Sequence, residues 1–565
     1  MGSARVTYDV DLCYRRTSDN LERLAAALRT LSLALRGAPL DLKFMSMSSP
    51  GSSAAVNRLL WRQPKAPTRS TARRGSGPDP RARAPGTAID LPHRPAVCST
   101  RGRQPLFATR TLTREVRMAR RLIQSSVIYR DLTRAYPVIV RGEGVYLWDA
   151  DGKRYLDGSG GASAVTSIGH GVSEIVEAMA SQARRVAFVP MHMFTSEPLP
   201  ALAEAVAKFA PGDLNKVWFV SGGSEATENA AKLARQYWLE CGKPSKSIVI
   251  GRWQSFHGNT FGSLGFGGHT YRRRKYVPMF QEASHLPPMY CYRCHFNLTY
   301  PGCEAYCASY LERLIRMQGP ENIAAFIAEP VVGATLGAVP PVPEYFPKIR
   351  EICERNEVLF IADEVMTGFG RTGANFAVDH WGVVPDLIAT AKGISGGYMP
   401  LGAVIVRDEI FAVFERNQSN FVGGHTYTGH PVAAAVGLAV LRYIQERDLV
   451  RNAREVGAHL LEKLRGLMRR HPIVGDVRGL GLMVGLEFVA DRTTRAPFPP
   501  EREVARAIAL EALDRGLVTY PGTGSVDGVM GDHMKFTPSL VLTREQADEL
   551  TDMLEGAIGA VEARL

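Results

Sequence analysis

No apolar run in this sequence reaches the roughly 20 residues that a membrane-spanning helix needs, so no helical membrane span is expected. Cysteine is scarce, with eight in 565 residues, and no secretory signal is visible. A disulfide framework is therefore not expected, and a reducing, cytoplasmic setting is. The Gly/Ser turn at Ser221–Ser224 lacks the lysine of a phosphate-binding P-loop, and it does not match the dinucleotide pattern G-x-G-x-x-G. Acidic residues are few only at one end. The net charge is +12, yet residues 1–120 hold 22 Lys/Arg against 8 Asp/Glu, an excess of +14 that leaves −2 for the remainder. The basicity belongs to one extension, which argues against nucleic-acid binding by the folded part.

What is present is ordinary for a soluble globular protein: 45% hydrophobic and 22% charged residues. Residues 1–117 stand apart. Leu21 to Leu35 reads as an amphipathic helix, and Ser46 to Arg110 is rich in Arg, Pro, Ser and Gly. Such a stretch cannot bury enough apolar surface to fold. Three readings fit it: a disordered tail, an Arg-rich targeting segment, or translated sequence upstream of a start at Met118. Beyond it, the expected organisation is 118–185 as the first part of a small domain, 186–430 as a large domain, and 431–565 as the rest of the small α+β domain.

The most informative stretch is Val358 to Gly393. Val358–Ala362 reads as a buried strand ending in two carboxylates, Asp363 and Glu364. A second strand, Asp386–Ala391, ends in Lys392 and Gly393. An acid and a lysine at strand ends can point into one crevice beyond the edge of an open α/β sheet. That pairing suits pyridoxal 5'-phosphate, whose aldehyde takes a lysine as a Schiff base and whose pyridinium nitrogen takes an acid. A strand ending in Asp-Glu equally fits a nucleotide-binding protein, where the acid holds Mg²⁺.

Other stretches supply further groups. Pro137–Val140, Val145–Trp148 and Arg154–Asp157 read as an antiparallel meander, followed by a loop holding Gly160 and Gly161 whose backbone could approach a ligand. Lys216–Val220 reads as a strand and Glu225 opens a helix. The Gly222, Gly223 and Ser224 turn between them is either an anion site at a helix N-terminus or an ordinary capped turn. Phe256 and His257 follow the strand Ser247–Ile250, as a ring-stacking pair or as core residues. Asn322–Ile327 is a strand leading to Glu329. Cys291-x-x-Cys294 and Cys303-x-x-x-Cys307 read first as reduced thiols, with zinc as the other reading. Strands and helices alternate from Lys216 to Val406, which predicts a mainly parallel sheet.

Taken together, these motifs resemble the class III aminotransferases of pyridoxal-phosphate fold type I, the group holding the ω-amino acid:pyruvate, ornithine and 4-aminobutyrate enzymes. The likeness runs from about Val127 to the C-terminus. It rests on acid-Glu-Val, then Gly-Phe-Gly-Arg-Thr-Gly, then Ala-Lys-Gly. The resemblance implies a seven-stranded, mainly parallel sheet between helices plus a smaller α+β domain, and no metal. It implies that Lys392 binds the cofactor and moves the proton, and that Asp363 holds the pyridinium proton. Val365 and Phe256 would lie on either face of the ring, with Phe256 where the family usually has Tyr. Gly222, Gly223 and Ser224 would bind the phosphate, and His257 and Glu329 would line the ring's polar edge. Thr426 would reach the phosphate of a neighbouring subunit, which implies a homodimer with a shared site, or a tetramer. Arg371 would be structural. Two departures concern the substrate. Gly333-Ala334 stands where ornithine- and 4-aminobutyrate-type enzymes have Gly-Glu, and Lys535 stands where the family commonly has a carboxylate-gripping Arg. The implied reaction is ping-pong transfer of an amino group from an ω-amino acid, amine or amino acid to a 2-oxo acid. A mutase, racemase or decarboxylase on the same fold is the alternative, and a non-catalytic homologue a further one.

Overall fold

The computed structural model describes residues 125–281 and 283–565. The sequence extension 1–117, with its expected helix at Leu21–Leu35, lies outside the described residues.

The meander forms as expected: β1 (Ile139–Glu143), β2 (Tyr146–Asp149) and β3 (Arg154–Asp157) pair antiparallel. Two helices follow, α1 (Ser173–Arg185) and α2 (Pro198–Phe209). The second was not apparent from the sequence pattern. The large unit then runs β4 (Leu214–Val220), α3 (Gly223–Glu240), β5 (Ile248–Arg252), α4 (Phe261–Phe266), α5 (Thr270–Arg273), β6 (His285–Leu286), α6 (Tyr306–Gln318), β7 (Ile323–Ala328), α7 (Tyr345–Arg355), β8 (Leu359–Asp363), β9 (Leu387–Ala391), β10 (Gly402–Arg407) and α8 (Asp408–Arg416). Its seven strands lie in the order β4-β10-β9-β8-β7-β5-β6. Only β10 is antiparallel to its neighbours. The mainly parallel sheet expected from the alternation is therefore present. Strands β7, β8 and β9 are buried at every position. Unbroken Ile/Ala/Phe/Leu runs are what a central strand needs when helices cover both sheet faces.

The chain continues through α9 (Pro431–Glu446), α10 (Leu449–Arg470), β11 (Val474–Leu480), β12 (Met483–Phe488), α11 (Val504–Asp514), β13 (Leu517–Val518), β14 (Tyr520–Thr523), β15 (Asp532–Phe536) and α12 (Arg544–Glu562). Strands β11, β12, β15 and β14 form a second sheet. Strand β13 instead runs parallel beside β3, so the C-terminal part closes onto the N-terminal meander. Helix α9, expected to open the small domain, packs on α1, α2 and the turn at Lys392. Its Ala/Val-rich surface is buried in these contacts. Thr543 caps α12, accepting the Gln546 N–H at 3.2 Å while the Gln546 side chain accepts the Thr543 N–H at 3.0 Å. No described helix is long and apolar enough to cross a membrane.

One close approach stacks three stretches of backbone. Gly457 lies inside α10, where alanine would ordinarily be favoured by about 1 kcal/mol. A Cβ there would overlap the backbone of Gly481, which itself packs on Thr372. Gly457→Ala is expected to lower the thermal midpoint, against the sign of helix propensity. An unchanged or raised midpoint in calorimetry would refute this account of the contact.

Candidate active site

All six parallel strands of the large sheet end at one edge, and the singled-out residues emerge there. Asp363 is the last residue of β8 and Lys392 the first after β9. Glu329 follows β7, Phe256 and His257 follow β5, and Gly223 opens α3 after β4. A crevice of about 140 Å³ is lined by Gly223, Ser224, Phe256, His257, Glu329, Asp363, Val365 and Lys392, together with Gly258, Val331, Met366 and Thr367.

The polar groups are held in fixed positions. The Asp363 carboxylate accepts the Val365 N–H on one oxygen at 3.1 Å and meets His257 Nδ1 on the other at 2.7 Å. The His257 carbonyl accepts the Thr227 hydroxyl at 2.7 Å. His257 Nε2 is buried without a hydrogen-bond partner. Glu329 accepts the N–H groups of Phe256 and Gly333, at 3.3 and 3.2 Å, and burial raises its pKa. Lys392 takes left-handed backbone, φ 48°, a conformation that costs a residue with a side chain of order 1 kcal/mol or more. Desolvation lowers its amine to about 8, against the pull of Asp363 and Glu329. No described group hydrogen-bonds that amine.

The α3 end of the crevice is built from backbone. Helix α3 spans 18 residues, and its opening amides have no partner within the helix. Ser224 Oγ accepts the Asn259 N–H at 3.0 Å. A Cβ on Gly223 would stand 2.7 Å from Val365, so the glycine lets the α3 N-terminus close onto the Val365 side of the crevice. Gly222 precedes the helix in extended backbone and does not line the crevice.

Comparison with known proteins decides the family. The family model described as Aminotransferase class-III matches residues 129–558. The chain is a class III aminotransferase. It is 39% identical over 443 residues to YodT of Bacillus subtilis, an uncharacterised aminotransferase, covering 78% of this chain and 99% of that one. It is 37% identical to a putrescine–pyruvate aminotransferase of Pseudomonas aeruginosa, covering 73% of this chain and 88% of the relative. Among solved structures it is similar to an (S)-enantioselective omega-transaminase from Thermomicrobium roseum, with 40% identity, a TM-score of 0.71, and coverage of 75% and 93%. A pyridoxal-phosphate-bound amine transaminase from an uncultivated Pseudomonas species gives 36%, 0.72, and coverage of 78% and 98%.

Not every expected site residue of this aminotransferase reaches the crevice. Gly160 and Gly161 do not line it. Gly160 is required instead by the carbonyl of Thr537, which a Cβ would overlap. Lys535 lies on β15 behind Met366. Its amine donates to Ser163 Oγ at 2.7 Å and stands 4.3 Å from the Tyr520 ring centre. Burial holds its pKa well down, and the charge of Lys392 adds to that. Thr426 is exposed and lines a separate cavity of about 880 Å³, with Phe188 and Phe421. Arg371 is fully buried and donates to the carbonyls of Leu482 and Pro538, across the domain seam.

The cysteine stretch folds as a strap. Cys291, Cys294, Cys303 and Cys307 line one small cavity, all as free thiols. Burial raises the thiols of Cys291 and Cys307, the latter to about 12. Among the described residues no three His, Cys, Asp or Glu stand in metal-holding geometry. Met366 and Thr367 line the crevice without having been singled out. Their place two and three residues after Glu364, on the turn leaving β8, was the available signal.

Glu364 is separated from Asp363 by one bond and by function. It is fully buried away from the crevice, accepting the Val378 N–H at 2.9 Å and the Thr367 hydroxyl. Burial raises its pKa from 4.5 to about 7. A raised carboxyl pKa means stability is fullest below 4.5 and is lost as pH rises through about 7. Glu364→Gln is expected to flatten the fall of thermal midpoint across that window. An equally steep fall in the variant would remove Glu364 as its source.

Proposed function

We propose that this enzyme moves an amino group from an ω-amino acid or amine to a 2-oxo acid, pyruvate or 2-oxoglutarate, by a ping-pong route. The observation that carries this reading is the convergence of an unpaired lysine amine, a histidine-braced aspartate and a helix N-terminus in one crevice of a class III aminotransferase. These residues fit pyridoxal 5'-phosphate in charge and in order along the crevice. Lys392 would hold it covalently and Asp363 would face the pyridine nitrogen. The α3 amides and Ser224 would take the phosphate, with Phe256 and Val365 on the ring's two faces. When bound, the cofactor supplies an electron sink for the carbanion left by proton removal.

The protein's own part is proton handling and orientation. With the cofactor bound to the donor, the Lys392 amine would be free to act as the base that takes the proton from the carbon bearing nitrogen, and then as the acid that returns it to the carbon on the other side of that nitrogen. Its lowered pKa, about 8, keeps a useful fraction neutral at working pH. His257 holds the Asp363 side chain aimed, as a second hydrogen-bonding group on its carboxyl oxygen. The carbon skeletons are retained in the products, and an amino group with one hydrogen is exchanged for an oxo oxygen by way of water. Gly333-Ala334 in place of Gly-Glu, with Lys535 in place of the carboxylate-gripping Arg, supports an amine-type donor. The relatives named for putrescine and for diaminobutyrate support the same choice. The exposed Thr426 loop and the apolar cavity beside it support a second copy of the chain completing the site.

The deciding experiment is the visible spectrum of the pyridoxal-phosphate-loaded protein, with amines and amino acids added singly. A band that bleaches with donor and returns with a 2-oxo acid is expected. Recovery without any 2-oxo acid would instead favour the mutase or racemase reading. Asp363→Asn is expected to cut kcat by at least about 100-fold, on the scale of losing a positioned proton-handling or charged group, with donor KM changed far less. Near-wild-type turnover would remove the assignment.

Cofactor uptake gives an independent reading of Lys392. Only the neutral amine attacks an aldehyde, so uptake by the apoprotein is expected to speed up as pH rises and to level off above about 8. A plateau reached only near the ordinary lysine value of 10.5 would show that the crevice does not depress this amine.

A further inference from the structure

Phe256 faces the crevice with no polar handle to hold its ring. Its N–H donates to Glu329, which fixes the backbone but leaves the side-chain torsions free. Two groups pack on the ring from outside the crevice. His269 meets it edge-on, with centroids 5.8 Å apart and planes at 81°. Burial lowers His269 to about 4, so it is a neutral wall at working pH. The second group is the guanidinium of Arg272, 5.1 Å from the ring centre.

Arg272 is unlike its neighbours on the same short turn. Arg273 donates to the carbonyls of Leu264 and Gly265, at 3.4 and 3.3 Å, and stands over Trp253 and Phe280. Arg274 stands over Tyr271. Arg273 therefore pins α5 to the body of the protein without help from Arg272. Among the described residues, the Arg272 guanidinium makes no ion pair and no hydrogen bond, and Phe256 is its aromatic contact.

We propose that Arg272 is a positioning residue for cofactor binding: its guanidinium, set over the outer face of Phe256, holds that ring in the plane from which its inner face stacks on the pyridine. The inference rests on the reading of the crevice as the pyridoxal-phosphate site. The physics is a cation over an aromatic face, strongest where water is partly excluded. Ordering the ring before the cofactor arrives removes an entropy cost from binding. No bond is made or broken by Arg272, and its effect passes entirely through Phe256.

The test is equilibrium binding of pyridoxal phosphate to apoprotein, with thermal midpoints of the same apoproteins as a folding control. Arg272→Met and Arg272→Gln are expected to weaken binding about 3- to 20-fold, the range a cation–aromatic contact spans. Arg272→Lys should recover most of the loss. In a Phe256→Ala background, Arg272→Met should add nothing further, because the group it acts through is gone. Unchanged binding in the Met and Gln variants overturns the proposal. So do losses that add independently in the double variant, or a rise in KM confined to carboxylate-bearing substrates with cofactor affinity intact, which would make Arg272 a substrate anchor. Wild-type protein that takes up no pyridoxal phosphate would sink the cofactor reading itself and this inference with it.

Discussion

The parallel register of β7, β8 and β9 is the constraint on which the site depends. Asp363 lies opposite Ala389, and Ala391 ends β9 two residues further on. Because the strands run the same way, acid and amine leave the sheet at the same edge. Antiparallel strands of this length would set them a strand length apart, roughly 15 Å at about 3.3 Å per residue. The one antiparallel strand extends the arrangement. Gly402 of β10 pairs with Ala391 on one side and Val220 on the other, which brings the Gly222–Ser224 turn to that edge too. Side-chain alternation then sorts the carboxylates. Successive strand residues face opposite ways, so Asp363 faces the crevice while Glu364 turns inward to Val378 and Thr367.

Electrostatics in the crevice (Lys392, Glu329) and in the buried shell around it (Lys535, Arg371, Glu364) follow from burial more than from pairing. Lys392, Lys535 and Arg371 are all lowered, with desolvation the largest cause in each. Glu329 and Glu364 are raised for the same reason. A site that pushes both signs toward neutrality needs little counter-charge. It can exchange protons near neutral pH, where an exposed lysine would stay charged.

Much of the large domain was legible because its signals are local. Largely apolar runs mark β7, β8 and β9, and the residue after each run lines the crevice. The helix α2 carries helical spacing in its buried Leu202, Val206 and Phe209, but Pro198 and Pro200 in its first turn disguise it. Proline at a helix's first turn costs no hydrogen bond. Strands β14 and β15 were hidden differently. Asp532, His533 and Lys535 are buried polar residues on β15, so the strand lacks the apolar pattern by which strands are read. The Lys535–Ser163 contact spans 372 positions, and no spacing rule reaches that far.

The strap between β6 and α6 shows the same limit and its physical reason. Tyr290 and Arg293 both donate to Glu487, a fully buried carboxylate on β12, which also faces Arg478 at 3.3 Å. A buried carboxylate is tolerable only when several donors surround it. Here two of those donors come from the strap and one from the second sheet. The strap is thus held to the small domain by a charge that neither segment would bury alone. Arg371 does the same at the other end of the seam, where its guanidinium satisfies carbonyls of Leu482 and Pro538 that would otherwise lie buried without donors. The motif arginine and the strap therefore fix how the second sheet meets the first. Lys535, on the same sheet as Glu487, is held behind Met366 by that docking and not by any local feature of its own sequence.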